Sequence, residues 1–186
     1  MAITALDPNT ALVVIDLQKG IAALPCAHPM DGVVRKSAAL AEAFRQRGLP
    51  VVLVNVTGGA PGRTEHSHRL DDLPADWAEL LPELRRQPGD HTVTKRTWGA
   101  FAHTGLHELL QRLGATQVVL AGVATSIGVE STARQAYELG YNVTLATDAM
   151  TDMSAEAHDN SVARIFPRLG ETGSTDEILA RLGSAD

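Results

Sequence analysis

Cysteine is nearly missing from this chain: Cys26 is the only one among 186 residues. A lone thiol excludes an internal disulfide and any cysteine-rich zinc site. Basic charge is scarce too, with 16 Lys and Arg against 22 Asp and Glu and a net charge of -6. Without a basic stripe to neutralise phosphates, nucleic acid is not an expected partner. No apolar run approaches the roughly 20 residues that a membrane-spanning helix needs. The start, "MAITALDPNTALVVID", lacks the charged segment and cleavage site of a secretory leader. Repeats, low-complexity segments and a second-domain linker are absent as well. The expectation is therefore a cytoplasmic protein that binds neither membrane nor nucleic acid. What remains is ordinary globular composition, 44% hydrophobic and 20% charged, with enough chain for one domain over residues 1–186 and a full core.

Short, uninterrupted apolar runs recur: "ALVVID" (11–16), "PVVLVNVT" (50–57), "QVVLAGV" (117–123) and "NVTLAT" (142–147). Their β-branched content and length fit strands buried on both faces of a parallel sheet. "HTVTK" (91–95) is a weaker candidate and "RLGET" (168–172) weaker still. Helical spacing lies between them. Leu106, Leu109, Leu110 and Leu113 share one face and Gly114 closes that helix; Val33, Leu40, Ala41 and Phe44 outline another, closed by Gly48. This is the i, i+3, i+4, i+7 spacing of an amphipathic helix with a glycine stop. Ser174 and Glu177 stand at capping-box spacing before "ILARL". Strands alternating with helices predict a doubly wound α/β domain with right-handed crossovers.

Residues 57–90, rich in Gly, Pro and charge, break the rhythm. A loop of this length inside a compact domain is expected to serve the site, here as a lid over the pocket. Ligands of open α/β sheets bind at the carboxyl ends of the strands. That rule selects Asp16, Thr57 to Gly59, Lys95 with Arg96, Trp98 and Phe101 after it, the turn 124–128, and Asp148. Asp16 follows five apolar residues, and a charged carboxylate there needs a partner or a raised pKa. Two readings of Asp16 stand at this level: a turn cap bonded to backbone, or a functional carboxylate. A solvated lysine is the plain reading of Lys95.

Three segments together are similar to the isochorismatase-like hydrolase superfamily: "ALVVIDLQKG", "VTKRTWGAFAHTGLHELLQRLG" and "VVLAGVATSIGVESTARQAYELGYNVTLATDAMTD". They keep the family's order and spacing over nearly the whole chain except the 57–90 loop. The resemblance implies a three-layer αβα, Rossmann-like fold with a central, mostly parallel sheet of about six strands. In the cysteine hydrolases of this family the triad is Asp, Lys and Cys. Carried over, Asp16 and Lys95 match, and Gly128 stands where the nucleophilic Cys would be. Glycine removes covalent thiolate catalysis. Ser126 lies two residues too early to replace it, and Cys26 reads as a plain loop or buried residue. The resemblance also implies a cis peptide between Val123 and Ala124, aiming the N–H groups of Ala124 and Gly128 into the pocket.

The nicotinamidase-type metal site does not carry over, because its ligands would fall near Val56 and Gly58. His66 and His68, with Asp71 and Asp72, read as a solvated loop rather than a metal site, so no metal or cofactor is expected. The isochorismatases proper resemble this chain in keeping Asp and Lys with Gly for Cys. They cleave an enolpyruvyl vinyl ether, which needs an acid, a carboxylate clamp and a dry cavity rather than a nucleophile. The implied reading is non-covalent hydrolysis of a small carboxylate-bearing substrate, with Asp16 as acid and Lys95 in support. Gln18, Trp98, Phe101 and Thr125 are the expected substrate contacts, with core packing an equal reading of Phe101, and Arg63 or Arg69 the expected clamp. Two alternatives remain: hydrolysis of another small amide or carbonyl compound by Asp16-activated water, and an inactive relative that binds a small ligand. Family members associate, so a homodimer or homotetramer is expected.

Overall fold

The computed structural model describes residues 3–65 and 73–183. Its strands are β1 (Thr10–Ile15), β2 (Val51–Val56), β3 (His91–Lys95), β4 (Gln117–Val123), β5 (Asn142–Thr151) and β6 (Glu171–Gly173). They form one sheet in the order β3-β2-β1-β4-β5-β6, every neighbouring pair parallel. β1 lies near the middle, with Ile15 facing Val54 of β2 on one side and Gly122 of β4 on the other. The order reverses there, so β1 ends at the crevice where such sheets bind ligands.

The apolar runs are buried on both faces because alternate residues feed two cores. Leu12 and Val14, Val51 and Leu53, Val119 and Ala121 face α2 (Met30–Gln46) and α6 (Thr175–Gly183); α1 (Lys19–Ala22) and α5 (Ala155–Asn160) are short helices that follow β1 and β5. Val13 and Ile15, Val52 and Val54, Val118 and Leu120 face α3 (Leu106–Arg112) and α4 (Glu130–Glu138). Two helix layers thus enclose the sheet, giving the three-layer α/β architecture. The capping box forms: the Ser174 N–H donates to Glu177 Oε2 at 2.7 Å, and the Glu177 N–H donates to Ser174 Oγ at 3.2 Å.

Two strand boundaries differ from the sequence reading. β5 continues to Thr151 instead of stopping at 147, because a register shift between Leu120 and Gly122 lets Met150 and Thr151 pair with Gly122 and Val123. β6 occupies Glu171–Gly173, a little beyond "RLGET". The second half of the 57–90 loop is stitched to the body rather than free. The N–H groups of Leu81, Lys19 and Gly20 donate to the carbonyls of Leu17, Glu79 and Trp77, tying residues 77–81 to the segment that follows Asp16. Trp77 lies directly on Gly20, where a Cβ would stand 2.0 Å from its ring.

Candidate active site

The two carboxyl-end residues singled out in the sequence meet. Lys95 Nζ lies 2.7 Å from Asp16 Oδ2, with 2% and 7% of the respective side chains exposed. Lys95 also donates to the Thr97 carbonyl at 3.1 Å. β2 separates β1 from β3, so the lysine spans the end of β2 to reach the carboxylate. Asp16 adopts φ 51°, the left-handed region in which Asp is one of the tolerated residues. Its backbone leaves the strand line there, although its N–H still donates to Val54 O at 2.9 Å. The turn-cap reading of its side chain does not describe this geometry.

Burial pushes the Asp16 carboxyl up to about 6 from its ordinary 3.8, against the lowering pull of the Lys95 charge and hydrogen bond. Desolvation thus outweighs the lysine charge in setting the direction of the shift. The two oxygens differ. Oδ2 is held by Lys95, whereas Oδ1 is buried and has no hydrogen-bond partner among the described residues.

Gly128 stands beside this pair. A Cβ on it would lie 3.3 Å from Asp16 Oδ2, 3.3 Å from the Val123 carbonyl and 3.0 Å from Ile15 Cγ2. The Val123–Ala124 peptide is cis. A wide turn, Thr125–Val129, follows, in which the Val129 N–H donates to Ala124 O, and α4 continues from it. β1 and β4 therefore bring Asp16, Gly128 and the Ala124 backbone to one place from distant parts of the sequence.

Other expected contacts are placed differently. Gln18 is fully buried: Nε2 donates to Val56 O and Trp77 O, and Oε1 accepts from the Val56 N–H. It braces β2 and the 57–90 loop against the chain after Asp16 instead of offering its amide to a ligand. Thr125 is also fully buried and shares a 2.8 Å hydrogen bond with His158 Nδ1. Phe101 belongs to the core, with its ring centroid 5.9 Å from that of Tyr141. It turns inward because Thr132 and Gln135 of α4 accept the N–H groups of Ala100 and Phe101. Trp98 is 63% exposed, and Arg63 is exposed in the loop. Arg69, His66, His68, Asp71 and Asp72 lie outside the described residues. Asp148 caps α6 through the Thr175 N–H and hydroxyl and pairs with Lys36, so it serves the helix layer.

Sequence reasoning missed Asp152. Its Oδ2 accepts from both the N–H (2.7 Å) and the hydroxyl (2.8 Å) of Ser126, and Oδ1 accepts from the Ser154 N–H. This buried carboxylate pins the turn that carries Gly128, and it occupies the Ser126 hydroxyl. No sequence spacing announces a partner 26 residues away; a polar residue at the end of an apolar run was the only signal. Cys26 is half-buried, and its thiol is pushed up by burial and by the Asp152 charge, the opposite of an activated thiolate. No three His, Cys, Asp or Glu side chains gather as a metal-binding group among the described residues. Among those residues, too, no helix is long and apolar enough to cross a membrane.

The Isochorismatase domain family matches residues 10–177. The chain is 44% identical over 184 residues to the uncharacterized isochorismatase family protein YwoC of Bacillus subtilis, covering 94% of each chain. It is equally 44% identical to the uncharacterized isochorismatase family protein YecD of Escherichia coli O157:H7, over 94% of this chain and 96% of the relative. The solved structure of an isochorismatase family protein from Burkholderia thailandensis superposes with a TM-score of 0.93 at 42% identity, covering 97% of this chain and 98% of that one.

Proposed function

The chain belongs to the isochorismatase family of hydrolases, and from that premise we propose that it cleaves the vinyl ether of a small, carboxylate-bearing enolpyruvyl substrate without a covalent intermediate. One observation carries this reading. Asp16 holds Lys95 with one oxygen and keeps the other, Oδ1, buried and unpartnered, in a carboxyl whose pKa is about 6. Such a group is a proton donor poised near neutrality.

In the proposed reaction the Oδ1 proton passes to the terminal methylene carbon, whose π electrons form the new C–H bond. The resulting oxocarbenium ion is captured by water, which returns a proton to Asp16. Collapse of the hemiketal breaks the C–O bond and releases an alcohol and a 2-keto acid. Lys95 orients the carboxyl and stabilises its anionic form after transfer. The N–H groups of Ala124 and Gly128, beside the start of α4, bind the incoming water or a substrate oxygen. Gly128 leaves room for the methylene. Partners in this reading are a small-molecule substrate and further copies of the chain.

The test is a pH profile on enolpyruvyl ethers such as isochorismate. The active form is the protonated acid, so kcat/KM is expected to be flat in acid and to fall by about tenfold per pH unit above about 6. A profile that stays flat through neutrality, or rises, would defeat the assignment of Asp16 as the acid.

A second prediction concerns the bare position. In a Cys26→Ala background, Gly128→Cys places the only thiol against Asp16 Oδ2 and Ile15. Crowding should lower enol-ether cleavage by about tenfold or more, while hydrolysis of p-nitrophenyl acetate appears and is abolished by iodoacetamide. Faster enol-ether cleavage in this variant would mean that a nucleophile, not space, is what the site lacks.

A further inference from the structure

The proposed substrate carries a carboxylate, and the catalytic pair cannot hold it. Lys95 Nζ is already engaged by Asp16 Oδ2 at 2.7 Å and by the Thr97 carbonyl at 3.1 Å, and once Asp16 has given up its proton a substrate anion beside it would be repelled. The site therefore needs another cation at the same end of the sheet. Arg96 follows Lys95 at the end of β3. Its guanidinium lies on Gly58, just beyond β2: Cζ, Nε and Nη2 are each 3.3 Å from where a Gly58 Cβ would stand. Three atoms at equal distance mean that the guanidinium presents its flat face to this buried glycine. Its N–H groups, which lie in the guanidinium plane, then point along the surface rather than into the backbone.

β2 is the strand that Lys95 crosses to reach Asp16. A guanidinium over Gly58, just beyond the end of β2, therefore lies at the same end of the sheet as the pair. Lys19, Lys36, Arg45, Lys95 and Arg134 all have carboxylate partners. Among the described residues Arg96 has none within ion-pair distance; its side chain is exposed and rests on Gly58. A planar fork in this state suits bidentate capture of a carboxylate. We propose that Arg96, seated on Gly58, is the substrate-carboxylate clamp and the specificity-determining residue of this site, in place of Arg63 or Arg69. The proposal rests on the carboxylate-bearing substrate inferred above.

Calorimetric titrations with benzoate and its neutral counterpart benzamide test it without turnover. They are run on the wild type, Arg96→Gln, Arg96→Lys and Arg63→Gln, and amide NMR shifts at Gly58 and Gly128 confirm the site. Loss of one charge-assisted contact should weaken benzoate by about tenfold to a hundredfold in Arg96→Gln. Arg96→Lys should recover part of it, Arg63→Gln should bind benzoate like the wild type, and benzamide should change little throughout. Absence of saturable benzoate binding to the wild type, unchanged binding in Arg96→Gln, equal weakening of benzamide, or loss in Arg63→Gln instead overturns the clamp. Benzoate held through Arg96 by a protein that cleaves no enol ether would leave the clamp standing and sink the reaction. Enol-ether cleavage undiminished in Arg96→Gln would do the reverse.

Discussion

Asp16→Asn is expected to lower kcat/KM for enol-ether cleavage by at least about 10²-fold, and up to about 10⁴-fold, the usual contribution of a positioned general acid. Asparagine preserves the shape of the carboxyl and keeps an oxygen to accept from Lys95, but it has no acidic proton for the methylene carbon. Because Lys95 Nζ is bonded to Asp16 and to the Thr97 carbonyl, the variant keeps a bonded lysine but loses its counter-charge. Breaking a buried pair outright costs about 3–5 kcal/mol; retention of the acceptor should hold the loss below that. Near-ultraviolet circular dichroism and benzoate titration at the activity assay temperature separate unfolding from lost chemistry. A folded, ligand-binding variant with wild-type turnover would remove Asp16 from the mechanism. If neither the wild type nor the variant turned over any substrate while both bound ligand, the chain would be a binding protein built on the hydrolase fold.

The raised pKa also links Asp16 to stability, and the sign follows from its direction. The folded carboxyl binds its proton more tightly than the unfolded one, about 6 against 3.8. Its contribution is therefore fully present below pH 3.8 and lost as pH rises through about 6. The buried carboxyl thus costs the fold something at neutral pH, as expected where desolvation outweighs a single lysine.

The sheet was legible because its strands are buried on both faces, so burial alone wrote them as β-branched runs. The extension of β5 was not: Met150 and Thr151 pair with β4 beyond a register shift between Leu120 and Gly122, which composition does not announce. The Asp16–Lys95 pair was legible because strand-end placement constrains charged residues strongly. Its surroundings were less so, since Gln18, Thr125 and Asp152 find partners 26 to 59 residues away. For Phe101 the sequence left two readings, a pocket wall near Lys95 or a core residue, and the structure shows the second. Two α4 side chains fold that loop back and send the ring into the core instead. A residue's distance along the chain from a catalytic group says little once a loop has a second anchor.

The backbone beneath Asp16 depends on one glycine, and Gly122→Ala is expected to destabilise the protein by more than about 4 kcal/mol, the range reserved for outright steric failure. Gly122 sits at φ +117°, which L-residues rarely adopt, and a Cβ there would stand 2.0 Å from the Ile15 carbonyl oxygen. That oxygen belongs to the central strand, one residue before Asp16, and Ile15 pairs directly with Gly122. Neither side can retreat easily: β1 is held by β2 on its other side, and β4 by β5. Backbone strain and collision are separable by experiment. Gly140 also has a positive φ, +84°, but a Cβ there meets nothing within 4 Å, so Gly140→Ala reports strain alone, about 1–3 kcal/mol. Urea denaturation of both variants gives the comparison. Gly122→Ala should be insoluble or unfold at far lower denaturant, and any folded fraction should lose enol-ether cleavage because Ile15 carries Asp16 with it. If Gly122→Ala were no less stable than Gly140→Ala, the close packing of β4 on β1 would not be what fixes the carboxylate in place.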